Sequence, residues 1–309
     1  MTKRLAVVTG GAGFIGTNLA TELRNRGWST IAFDNGSTGN LEDAAKVFDE
    51  VIEGDILDAE RVASVVRRAR VIVHLAAQSG VPVSVADPWR DHEINVRGTL
   101  QMLLAARDAG IAGFVFASSN APLGAAPVPS HEGVVPRPLS PYGASKLAGE
   151  AYCSAFAASY GLRTVALRFA NVYGPLSYHK GSVIASFMRA ATEGAPLLID
   201  GDGRQTRDFV YVGDVCSGIA AAAESDLLGE LLHLGSGTET SITDVAATLV
   251  SMFVDRDLEI EHGPPRVGDV RSSRSDITRA HRMLGYTPSV DLTDGLALTR
   301  DWFLAQQHL

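Results

Sequence analysis

The apolar run Leu5–Thr9 passes without a spacer into Gly10-Gly11-Ala12-Gly13-Phe14-Ile15-Gly16, and a helical pattern starts at once. Few other features restrict a fold so tightly. The first glycine allows a tight turn, the second lets a ligand reach the backbone, and the third lets the helix lie against the strand. Such a helix start offers unpaired N–H groups and a positive dipole end to a phosphate. Asp34, at the end of the next apolar run and roughly 20 residues on, is placed to accept hydrogen bonds from ribose hydroxyls. No Arg or Lys occurs in the five residues after it. A ribose phosphate there would meet a carboxylate without a counterion, so the site is expected to take NAD rather than its phosphorylated form. Asp55, after the third strand, is placed to touch the adenine or to cap a helix.

Further along, strands at Leu5–Thr9, Thr30–Phe33, Val51–Glu53, Val71–Leu75, Gly113–Ala117 and Thr164–Leu167 alternate with helices. The helices are Gly16–Arg26, Ala59–Arg68, Asn95–Ala109 and Tyr142–Tyr160. This alternation predicts an α/β fold, a Rossmann-type doubly wound parallel sheet with helices on both faces. After Val172 turn residues multiply, and a smaller α/β carboxyl-terminal substrate lobe is expected. The division is 1–172 with 208–234 returning to it, and 173–207 with 235–309 as the lobe.

Composition narrows the function. With 27 Lys and Arg against 35 Asp and Glu the net charge is −8, which speaks against a nucleic-acid partner. No run reaches membrane-spanning length, and the amino end leads straight into a strand, so neither membrane nor signal peptide is expected. Cys153 and Cys216 lie apart in apolar helical stretches and read as reduced thiols of a cytoplasmic protein rather than metal ligands.

Tyr142 and Lys146 stand four residues apart in Ser140-Pro141-Tyr142-Gly143-Ala144-Ser145-Lys146, hence on one helix face. A lysine ammonium beside a phenol favours the phenolate, which then accepts a proton from a hydroxyl. Ser118-Ser119 closes the fifth strand at the edge where such sheets bind ligands. Ser119 is placed to hold the reacting oxygen.

These motifs, with His74-Leu75-Ala76-Ala77, Asn95, Asn171-Val172-Tyr173-Gly174-Pro175, Arg207-Asp208-Phe209-Val210-Tyr211-Val212 and the Arg266/Asp269 pair, cover nearly the whole chain. The sequence resembles the extended short-chain dehydrogenase/reductase family, and within it the nucleotide-sugar epimerases. The resemblance implies Ser119, Tyr142 and Lys146 as catalytic residues. For NAD it implies Gly10, Gly13, Phe14, Ile15, Gly16, Asp34, Asn35, Asp55, Ile56, Leu75, Ala76, Ala77 and Asn95, with Tyr142 and Lys146 again. For a UDP-sugar it implies Ser118, Ser119, Asn120, Asn171, His179, Lys180, Ser182, Val183, Arg207, Arg266 and Asp269. A homodimer through helices 95–109 and 142–160 also follows from it.

Family members that dehydrate or decarboxylate the sugar carry a carboxylate just after the catalytic hydroxyl. Here the segment is Ser119-Asn120-Ala121, which has none. Inversion at C4 is the expectation, with UDP-glucose or UDP-glucuronate as substrate; His179 and Lys180 are candidates to meet a sugar carboxylate. Pro122-Leu123-Gly124 replaces the family's usual tyrosine-containing segment and alters the pocket's shape. The rival readings are a UDP-glucuronate decarboxylase or another NAD-dependent oxidoreductase, and a non-catalytic NAD-sensing regulator.

Overall fold

The computed structural model describes residues 4–265 and 270–306. Its first half alternates as the sequence predicts: β1 (Leu5–Thr9), α1 (Phe14–Asn25), β2 (Ser29–Asp34), α2 (Leu41–Val47), β3 (Glu50–Glu53), α3 (Ala59–Val66) and β4 (Val71–His74). Two short helices follow, α4 (Val81–Ala86) and α5 (Pro88–His92), then a wide π-turn over Glu93–Gly98 that runs into α6 (Thr99–Asp108). Next come β5 (Gly113–Ser119), a 3-10 turn at Ala121–Leu123, α7 (Pro141–Tyr160), β6 (Thr164–Phe169) and β7 (Asn171–Tyr173). The remainder is α8 (Val183–Glu193), β8 (Leu197–Asp200), β9 (Thr206–Arg207), β10 (Phe209–Tyr211), α9 (Val212–Glu224), β11 (Glu230–Leu234), β12 (Thr240–Ser241), α10 (Ile242–Met252), β13 (Ile260–Gly263), α11 (Thr278–Leu284) and α12 (Leu292–Gln306).

Seven parallel strands form the main sheet in the order β11-β6-β5-β4-β1-β2-β3. Both faces are covered, so the central strands are apolar throughout rather than alternating. Leu19, Leu23, Val215 and Ile219 pack on one face, and Val62, Val66, Met102 and Phe156 on the other. Strand order reverses between β1 and β4, and ligands of such sheets lie in the crevice that opens there. The crevice rim is the β1–α1 turn and Leu75–Ala77.

A separate core of Phe187, Met188, Leu197, Leu249 and Phe303 holds the smaller carboxyl-terminal lobe. The lobe does not take all of 235–309. Helix α11 packs on β11 and α9, and Ala280 and Tyr286 belong to the main-sheet core. Asp208, which is wholly buried, ties these parts together. Its carboxylate accepts from the Ser236 amide and hydroxyl, both at 2.7 Å, and from the amides of Gly237 (3.3 Å) and Ser275 (3.0 Å). No described helix is long and apolar enough to cross a membrane. Both cysteines are buried and free.

Candidate active site

The glycine turn is shaped by contact as much as by conformation. Gly10 has φ +67°, and a Cβ there would stand 2.7 Å from the Ala76 nitrogen. A side chain at Gly16 would drive into the Gly10 carbonyl, so helix and turn touch only because both lack one. Helix α1 begins at Gly13 with no side-chain cap and no acid in its first turn, and its leading N–H groups are left to a ligand. Phe14 and Ile15 supply those groups. Asp34 accepts from the Ala12 amide at 3.0 Å and from the Gly36 amide at 2.9 Å, and so braces the turn at the end of β2. Asn35 donates to Asp55 at 3.0 Å, and Asp55 also holds the Leu57 amide. The cap of α3 is Asp58, not Asp55. Ile56 is buried against Gly98. Leu75 and Ala76 are pinned to Thr9 by bonds of 3.0 and 3.2 Å, with Ala77 following on the rim. A turn cleared of side chains, uncapped amides and a carboxylate on the neighbouring strand fit a dinucleotide.

Ser119, at the end of β5, is half-buried, and its hydroxyl accepts from the Ala121 amide at 3.2 Å and acts on Tyr142, lowering the phenol. Tyr142 and Lys146 lie in the first turns of α7, which Ser140 caps through the Gly143 amide at 3.1 Å. Gly143 lets the helix press on the 3-10 turn after Ser119: a Cβ there would come within 2.6 Å of the Ala121 oxygen. Lys146 is 3% exposed. Its ammonium donates to the Ala117 carbonyl at 2.8 Å and lies 5.9 Å from the centre of the Tyr142 ring.

Burial lowers the lysine to about 8, opposed by Asp91, Glu150 and Cys153. It pushes the Tyr142 phenol up to about 12; Ser119 pulls the other way and Asp91 adds to the rise. In the chain alone, desolvation of the phenolate outweighs the pull of Ser119, and the lysine is not among the groups that lower the phenol.

Three further residues of the expected site are held by partners within the chain. Ser118 points away from Ser119, because successive strand residues face opposite sides. It is buried and donates to Glu150 at 2.5 Å, inside a network rather than toward a sugar. Asn95 is a brace: its oxygen accepts from the Gln78 amide (2.8 Å), and its nitrogen reaches the Gln78 carbonyl (3.0 Å), Asp91 (2.9 Å) and Ser145 (3.2 Å). Lys180 donates to the Val172 carbonyl at 2.6 Å and rests 4.9 Å from the Phe14 ring centre, fastening the lobe to the glycine turn. Burial lowers it to about 8.

The remaining residues line the lobe side. Asn120 donates to Ser275 at 3.0 Å and keeps a buried carbonyl oxygen without a partner. Asn171 is exposed on β7, and its backbone N–H bonds the Asp208 carbonyl at 2.8 Å. His179 is exposed and lies edge-on to Tyr178. Ser182 precedes α8 with its hydroxyl unpartnered, and Val183 opens that helix. Arg207 donates to the carbonyls of Thr206 and Val270, each at 2.7 Å. Arg266 and Asp269 lie outside the described residues. Asp91 escapes sequence reading: a charge in Asp87-Pro88-Trp89-Arg90-Asp91 reads as solvated, yet this one is 1% exposed. Its only signal is the spacing of four to Asn95.

Comparison with known proteins agrees with this geometry. Residues 6–235 match the model of the NAD dependent epimerase/dehydratase family. A UDP-glucose 4-epimerase of Mycolicibacterium smegmatis is 38% identical, over 96% of this chain and 97% of its own. The crystal structure of a UDP-glucose 4-epimerase from Thermotoga maritima, with UDP-glucose, superposes with a TM-score of 0.93 at 36% identity, covering 98% and 99% of the two chains. The UDP-glucuronic acid 4-epimerase of Bacillus cereus, in complex with UDP-glucuronic acid and NAD, gives 0.90 at 29% identity, covering 99% and 100%. The chain belongs to the NAD-dependent epimerase/dehydratase family, and NAD is its cofactor.

Proposed function

We infer that this protein inverts C4 of a neutral UDP-hexose, interconverting the glucose and galactose configurations. One observation carries the reading: Ser119, Tyr142 and Lys146 meet at the sheet's ligand-binding edge, while Asn120-Ala121-Pro122 after Ser119 offers no carboxylate. Tyr142 accepts the proton of the C4 hydroxyl, and Ser119 fixes that oxygen. Bound NAD supplies the two-electron acceptor and donor for the hydrogen on C4, and its oxidised ring adds the positive charge the phenol lacks. Lys146, charged at neutral pH, steadies the phenolate. The 4-keto sugar turns over in the pocket and Tyr142 returns the proton to the oxygen. Loss of carbon dioxide or of water would need an acid or base beside C5; Asn120 and Ala121 cannot serve.

NAD is held by the Gly10–Gly16 turn, Asp34, Asn35, Asp55 and the Leu75–Ala77 rim. The nucleotide diphosphate falls to Asn171, Ser182, Val183 and Arg207, with Arg266 and Asp269 assigned by resemblance alone. The neutral sugar is favoured over the hexuronate because Lys180 is engaged with Val172 and Phe14. A homodimer through helices α6 and α7 belongs to the same reading, with Leu104 and Tyr160 exposed on them. Incubation with UDP-glucose, UDP-N-acetylglucosamine and UDP-glucuronate, followed by proton NMR, tests it. UDP-galactose as the main product is expected; carbon dioxide, a dehydrated sugar, or no turnover of UDP-glucose refutes it.

A further inference from the structure

Asp91 sits on α5, which packs against α7, and its carboxylate is 1% exposed. Its oxygen accepts from Asn95 at 2.9 Å, and the same amide nitrogen reaches Ser145, the residue before Lys146, at 3.2 Å. A buried carboxylate is ordinarily paired with a cation. Among the described residues no arginine or lysine lies within 4.0 Å of Asp91, and no carboxylate lies that close to Lys146.

The other ionisable groups around Tyr142 and Lys146 are accounted for. Glu150, one turn beyond Lys146, also raises the lysine but is paired with Arg168 of β6, in two bonds of 2.8 and 2.7 Å. Cys153 is held as a thiol by burial. His74 of β4 is buried and neutral, between Thr9 and Thr99. Among the described residues Asp91 is thus the acid acting on the catalytic pair that no cation pairs, and the largest to raise the lysine.

We propose that Asp91 is a positioning residue: the distant counterion that keeps Lys146 an ammonium, held against α7 by the Asn95–Ser145 bridge. The inference rests on the epimerase reading and deepens it. Its field acts on both catalytic groups, raising the lysine and the phenol together.

The test is the pH profile of kcat for the protein with its cofactor. Replacing Asp91→Asn removes a charge and keeps the hydrogen-bonding shape, so both limbs move to lower pH by about one unit. Ser145→Ala breaks the bridge but keeps the charge, and Asp91→Glu keeps it too; both leave the limbs in place even where kcat falls. An Asp91→Asn profile that coincides with wild type, or an equal shift in Ser145→Ala, overturns the proposal. Carboxyl 13C NMR of the unmutated protein decides the matter if Asp91→Asn does not fold. A carboxylate ionised at neutral pH is required, and an Asp91 signal still protonated at pH 8 overturns the proposal. Wild-type inactivity on every UDP-sugar would instead strike the epimerase reading, while tyrosine 13C NMR, with the Tyr142 line identified by Tyr142→Phe, still reports whether Asp91→Asn lowers the phenol.

Discussion

Replacing Glu150 with alanine should be among the costliest single changes in the main sheet. The carboxylate is 6% exposed and its partner Arg168 1%. It accepts from Arg168 Nε at 2.8 Å, from Nη2 at 2.7 Å and from Ser118 at 2.5 Å. Arg168 already has one nitrogen, Nη1, without a partner. Alanine would leave the whole guanidinium charged, enclosed and unpaired, beside an orphaned serine hydroxyl. Breaking a buried pair from one side costs about 3–5 kcal/mol, because the stranded charge keeps its desolvation penalty. At roughly 2–4 °C per kcal/mol for a chain of this order, the melting temperature falls by about 10 °C. Urea unfolding and calorimetry of Glu150→Ala, Arg168→Met and the double Glu150→Met/Arg168→Met variant measure it. The double variant removes both charges and fills the space, so it should regain at least half of the loss. A single-variant cost below about 1 kcal/mol, the scale of an exposed pair, would refute the reasoning, as would a double variant as unstable as the two singles summed.

Tyr142→Phe should lower kcat by about 10²–10⁴-fold, the usual worth of a positioned acid–base group, with NAD still bound; near-normal turnover removes Tyr142 from the mechanism. Lys180→Ala should raise KM for UDP-glucose and UDP-glucuronate by the same factor to within about twofold, since the ammonium is tied to Val172 and Phe14. A selective loss for the acidic sugar would restore the hexuronate. Stability should also depend on pH through two enclosed histidines. Burial holds His74 and His233 at about 3, whereas each protonates near its ordinary value when unfolded. Their contribution is complete above about pH 6.5 and lost as pH falls, at up to about 1.4 kcal/mol per pH unit for each. Urea unfolding at pH 7.5 and 5.5 reads the slope; His233→Leu should halve it, and an unchanged slope would disprove the assignment.

The first half of the chain was legible because local rules govern it. Strand β1 occupies Leu5–Thr9 as read, and Tyr142 and Lys146 share the first turns of α7 as their spacing predicts. Spacing cannot say which way a buried polar group turns, and that depends on partners far along the chain. Ser118 reads as a site residue until Glu150, 32 residues later, is found beneath it. The helix read as Asn95–Ala109 opens instead as a π-turn, in which Asn95 is bonded to Gln78, Asp91 and Ser145. The smaller carboxyl-terminal α/β lobe is legible from its turns, but its strands are not. Its strands are short and paired across the chain, as Leu197–Asp200 is with Ile260–Gly263, and a pairing of that span leaves no local pattern.

The pKa values of the catalytic pair also bear on why cofactor and catalysis are inseparable here. A phenol pushed up to about 12 by burial, beside a lysine lowered to about 8, favours its protonated form at neutral pH. The surrounding residues do not close this gap: Ser119 pulls the phenol down, while burial and Asp91 raise it. Asp91 nevertheless keeps the lysine charged, and a charged lysine is what a phenolate and a ribose both need. The fold therefore gives up basicity in the free protein to hold a cation in an enclosed site. One further positive charge at close range lowers such a phenol by about 1–3 pK units, which narrows the gap. On the proposed reading, Tyr142 therefore depends on the bound cofactor, whose positive charge acts with Ser119 against the rise that burial imposes.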